Sequence, residues 1–137
     1  MTLRSAYFAD WKGGPSVLFW GDALGMRDLR DFLRSARLAS NAPSLDRFCR
    51  AIDGRKITII AASDQRDTGM YFVRDCLEWR LRTDMAEDFA DKVDVLASGG
   101  AGHQYLDGYN CDIAVEVSTG EYPESLHPDP LIDPRLR

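Results

Sequence analysis

The chain has 137 residues, 45% hydrophobic and 28% charged, enough for one folded core and too apolar for a disordered segment. Seventeen Lys and Arg against twenty-two Asp and Glu leave a net charge of −5. That balance counts against a nucleic-acid partner, since phosphate binding draws its affinity from clustered cations.

Residues 3–9 and 16–20 read as two strands around Trp11-Lys12-Gly13-Gly14-Pro15, a hairpin signal. Val17-Leu18-Phe19-Trp20 is apolar on both faces, which suits an inner strand. Asp22 is the expected N-cap of a helix with Met26, Leu29, Phe32, Leu33 and Ala36 on one stripe. Arg27, Arg30, Arg34 and Arg37 form the opposite stripe, a solvated face with Asp28 and Asp31 as neighbours.

Ser40-Asn41-Ala42-Pro43 breaks this helix. Leu45, Phe48, Cys49 and Ile52 then fit a short helix capped by Ser44, with a strand turning at Asp53-Gly54 as the rival. Lys56–Ala62 predicts a strand, and Ser63–Asp75 a long polar connection whose Met70-Tyr71-Phe72-Val73 run extends a neighbouring strand. Cys76–Thr83 alternates, with Leu77, Trp79 and Leu81 opposite Glu78, Arg80 and Arg82. Thr83 caps a second helix with Met85, Phe89, Val93 and Leu96 on its apolar stripe, ended by Ser98-Gly99-Gly100. Cys111–Ser118 alternates as well, with Ile113, Val115 and Val117 opposite Asp112, Ala114 and Glu116. Pro123, Pro128, Pro130 and Pro134 make the remainder an extended tail, docked on this chain's surface or on a second copy.

These elements predict an α+β domain over residues 1–122 with a Pro-rich tail over 123–137. Its architecture is two-layered: a mainly antiparallel sheet of about five strands, with two main helices packed on one face. Alternating strands imply one dry sheet face and one wet face. No run approaches the roughly 18 apolar residues of a membrane span, and Met1–Tyr7 lacks the apolar core of a signal peptide. The expectation is a cytoplasmic protein that does not engage membranes.

Among stretches able to carry chemistry, Gly99–Asp107 stands out for its glycines and for His103, whose imidazole can serve as a base or a metal ligand. His103, Tyr105 and Asp107 are candidate binding residues. A helix C-terminus is the wrong end for an anion, so the plain alternative is a helix stop followed by a turn. His103, Asp107 and one of Asp112 or Glu116 make a thin metal set without a spacing motif, and no metal or cofactor is expected. No Gly-x-Ser-x-Gly elbow is present. Cys49, Cys76 and Cys111 are too scattered for a disulfide or zinc framework and read as buried small hydrophobes; Cys111 shares a predicted strand face with Ile113 and Val115. On the predicted wet face, Glu78, Arg80 and Arg82 from one strand and Asp112 and Glu116 from another form a charge ladder able to dock a partner.

Three segments together resemble small bacterial domains of about this length, some of them of the toxin-immunity type. They are Gly21-Asp22-Ala23-Leu24-Gly25-Met26, Gly102-His103-Gln104-Tyr105-Leu106-Asp107 and Val115-Glu116-Val117-Ser118-Thr119-Gly120-Glu121-Tyr122. The resemblance implies a protein that works by binding another protein, and it supplies no catalytic residue. Two partners follow as expectations: another protein such as a toxin, or a second copy of the chain in a homodimer. The competing expectation is a small ligand-binding or metal-binding domain or hydrolase using the His103 loop.

Overall fold

Lys12 and Gly13 both take positive φ, 53° and 96°, and close β1 (Leu3–Trp11) onto β2 (Gly14–Gly21) through a two-residue turn. Such turns match the right-handed twist of paired strands, so the hairpin runs longer than its composition suggests. This computed structural model describes residues 3–35 and 45–128. The expected Ala36 and Arg37 positions, the Ser40–Pro43 break, the Ser44 cap and the tail beyond Pro128 lie outside them.

The described residues form α1 (Ala23–Ser35), α2 (Thr83–Gly99) and two sheets. The five-stranded sheet contains β3 (Cys49–Ala51), β7 (Gly102–Tyr105) and β8 (Ala114–Thr119) besides the hairpin, in the order β3-β1-β2-β8-β7. The smaller one has β4 (Ile57–Ala61), β5 (Gly69–Val73) and β6 (Cys76–Leu81) in the order β4-β6-β5.

Both sheets are mixed, which corrects the mainly antiparallel expectation: β1 with β3, β2 with β8 and β4 with β6 are parallel pairs. Alternation along a strand reports which face is buried, not the direction of its neighbour. Segment 45–52 is also corrected. It forms a short 3-10 turn, Leu45–Arg47, and then strand β3, with the turn at Asp53-Gly54 that the rival reading required. Arg82, not Thr83, precedes α2 as its cap and makes no side-chain cap bond, whereas Asp22 does cap α1, its Oδ1 accepting from Gly25 N at 2.9 Å.

One core joins Val17, Phe19, Val115 and Val117 of the large sheet to both helices and to the small sheet. Trp79 lies at its centre, stacked on Phe19 and Phe89 with ring centroids 5.4 and 6.0 Å apart. The arginine stripe of α1 faces α2: Arg30 donates to Asp94 at 2.7 Å and Arg34 to Asp91 at 3.3 Å. It is an interhelix ion-pair seam as much as a solvated face.

The other face of the large sheet is not wet. Ala6, Phe8, Trp11, Leu18 and Trp20 pack there beneath Leu126 and Tyr122, and Trp20 Nε1 donates to Pro123 O at 3.1 Å. The described part of the proline-containing segment therefore lines a second, smaller core. An inner strand that is apolar on both faces, as β2 is, requires such a cover.

Candidate functional site

The site grows from the alternation of β8. Val115 and Val117 point into the main core, which sends Glu116 and Ser118 to the opposite face. Register places them in two cross-strand rows. Ala6, Leu18, Glu116 and Tyr105 form one; Arg4, Trp20, Ser118 and His103 form the other. Each row runs from the second apolar cluster toward a polar corner at the β7 edge.

Glu116 is only 1% exposed. Its Oε1 accepts from Lys12 Nζ at 3.0 Å and from Trp11 Nε1 at 3.3 Å, while Oε2 is buried with no hydrogen-bond partner. The two-residue turn delivers Lys12 to this position. Burial disfavours the Lys12 ammonium, but the hydrogen bond and charge of Glu116 outweigh that and raise its pKa above the ordinary lysine range. Burial and the Glu116 charge push the Tyr122 phenol up.

Beside them His103 Nδ1 lies 3.0 and 3.2 Å from the two carboxylate oxygens of Glu121, and Ser118 Oγ donates to Glu121 Oε1 at 2.6 Å. Burial works to raise the Glu121 pKa, yet the bonds from Ser118 and His103 win and hold it below the usual carboxylate value. The His103 ring meets Tyr105 edge-on, centroids 5.5 Å apart. A pocket of about 320 Å³ opens here, lined by Trp11, Lys12, Tyr105, Cys111, Asp112 and Glu116.

A second hollow, about 420 Å³, lies at the carboxyl ends of the parallel pair β2 and β8, with Arg4, Trp20, Asp22, Thr119, Tyr122 and Glu124 around it. Arg4 Nη1 donates to Glu124 O at 3.3 Å, and its buried Nε has no partner. The two hollows lie at opposite ends of these strands: this one adjoins the row of Gly21, Thr119 and Gly102, and the first adjoins Ser16 and Ala114. Crevices at the carboxyl ends of parallel strands are favoured ligand positions.

The sequence-derived candidates divide. His103, Tyr105 and Glu116 come together, with Asp112 on the pocket rim. Asp107 turns away to accept from Val115 N at 2.8 Å and serves to join β8 to the loop before it. The Glu78, Arg80, Arg82, Asp112 and Glu116 ladder does not form, because the first three belong to the small sheet or its end and Glu116 is buried. Arg80 Nε donates instead to Glu78 at 3.2 Å and its guanidinium covers Tyr71, while Arg82 pairs with Asp84. Gly102–Tyr105, read as a turn, is edge strand β7. Cys111 and Cys76 are exposed, and only Cys49 is buried.

Sequence reasoning missed Lys12, Ser118 and Glu121. Leu18 and Trp20 on the same face signalled a covered surface, but which carboxylate lies under it depends on strand pairing. Comparison with known proteins matched no family model, no curated protein and no solved structure.

Proposed function

We propose that the protein works by binding another protein at this end of the five-stranded sheet. The observation that carries the reading is the row Gly21–Thr119–Gly102. The three segments whose pattern resembles immunity-type domains are far apart in sequence and meet there side by side.

The surroundings fit a contact surface. Leu24, 55% exposed in the first turn of α1, offers an apolar contact close to Gly21. Asp22, Glu121 and Glu124 add an acidic margin, so the complementary partner surface is basic. An immunity-type inhibitor would use this end to cover the partner's active site. In the test, tagged protein is used as bait in cell lysate, with the Leu24→Ala/Glu124→Lys variant of this end alongside. A stoichiometric protein retained by the first and lost by the second, at equal thermal stability, supports the reading. Equal retention removes this surface, and a dimeric mass for the purified chain alone would make the partner a second copy.

A second reading uses the same corner for a small ligand or a hydrolytic reaction. Glu121 holds His103 through Nδ1 and leaves Nε2 to act as base, the arrangement by which a carboxylate orients an imidazole. His103→Ala should then abolish ligand-induced thermal shifts without changing the melting temperature of the free protein.

A further inference from the structure

We infer that His103, Glu116 and Glu121 form a binding site for a divalent transition-metal ion of the zinc class. The inference rests on the second reading of the polar corner and is independent of protein binding.

One ligand atom from each of the three side chains lies within 4.8 Å of the others. Bonds of about 2 Å in a tetrahedral ion hold ligand atoms about 3.3 Å apart. His103 Nδ1 and Glu121 Oε1 already meet at 3.0 Å, so Nδ1 is the imidazole ligand and an ion would take the place of the hydrogen bond between them. Closing the set therefore needs a movement of about 1.5 Å or less.

The independent observation is the unpaired oxygen of Glu116. A carboxylate this deeply buried is costly unless both oxygens find partners. Lys12 and Trp11 hold Oε1 and leave Oε2 free. That is the division expected of a monodentate metal ligand: one oxygen oriented by the protein, the other offered to the ion. Ser118 plays the same orienting part for Glu121. One imidazole and two carboxylates, without a thiolate, favour zinc, manganese, cobalt or nickel over copper(I); the imidazole argues against calcium and magnesium. His103 and Glu121 are partly exposed, which gives the ion an entry path and room for water at its remaining positions. The Lys12 ammonium nearby opposes a divalent charge, so the affinity should be moderate.

The test is calorimetric titration of the full chain carrying Cys76→Ser and Cys111→Ser, which removes the exposed thiols as competing ligands. Zinc chloride is the probe, with magnesium chloride as control. One zinc ion per chain is expected, with no heat from magnesium, and affinity at least tenfold weaker in both His103→Ala and Glu121→Gln. His127→Ala should bind as the parent does. Cobalt(II) absorption should show a nitrogen and oxygen environment without a thiolate charge-transfer band. No zinc binding at millimolar concentration, or equal binding by the parent and the two site variants, overturns the assignment. Either site variant suffices, since both side chains lie at the surface.

Discussion

Glu116 and Lys12 form an ion pair at 3.0 Å in which the carboxylate is buried and the ammonium, 41% exposed, reaches it from the hairpin turn. The pair is unequal. Removing the cation strands a charge that water cannot reach, while the cation itself loses little. Lys12→Met should therefore cost about 2 kcal/mol, below the roughly 3–5 kcal/mol of a fully buried pair because Lys12 keeps part of its hydration. Urea denaturation measures it, and a loss under about 0.5 kcal/mol would show that Glu116 is compensated by other groups.

Glu121 carries a pH dependence whose sign is set by its lowered pKa. A carboxylate that holds its charge more tightly in the folded chain stabilises it above the unfolded pKa. The contribution is lost as pH falls through the folded value. The stability of the parent relative to Glu121→Gln should thus be largest above about pH 5 and shrink at lower pH. Thermal melts of both proteins across the acid range decide it; a constant difference would contradict the pairing with Ser118 and His103.

Burial pushes the Cys49 thiol up to about 12 against the smaller effect of a hydrogen bond involving Ser5. Cys76 and Cys111 are exposed. At neutral pH a thiol reagent should label two cysteines in the native protein and a third only after denaturation, because the thiolate is the reactive form. Peptide mapping of the labelled sites checks which two.

Gly69 takes φ +141°, and a Cβ there would collide with the backbone carbonyl of Asn110, with which Gly69 forms a parallel bridge. The clash is with backbone atoms, so no side-chain rotation relieves it. Gly69→Ala should destabilise the protein by about 2–4 kcal/mol, since backbone strain and steric overpacking each cost about 1–3 kcal/mol. Chemical denaturation would show it, and a change within about 0.5 kcal/mol would mean the loop at Asn110 shifts freely.

Leu126 is fully buried against the second face of the large sheet. Leu126→Ala should cost about 2–4 kcal/mol through lost apolar burial and the cavity left behind. Trp11 and Trp20 share that cluster, so their fluorescence should report a looser environment before global unfolding.

Much of the fold was legible. The alternation of Leu77, Trp79 and Leu81, the α1 stripe and the Asp22 cap are local patterns, and each took its expected place. Short strands have few residues to alternate, so Cys49–Ala51 and Gly102–Tyr105 look like helix and turn in sequence yet are strands. At that length the neighbouring strand, rather than propensity, decides conformation. His103, Tyr105 and Glu116 were legible as polar residues out of pattern, but not the reason they meet.

Period-two alternation obliges Glu116 and Ser118 to face away from Val115 and Val117 whatever the strand pairs with, so the residues that leave the core are written in the chain. What they face instead depends on long-range packing. The parallel pairing of β8 with β2 placed Glu116 beside Leu18, and packing of Tyr122 and Leu126 over that face removed the water a solvated carboxylate would have kept. Strand order and long-range cover are set by the summed burial of many distant residues. A pattern read along one strand contains no record of them.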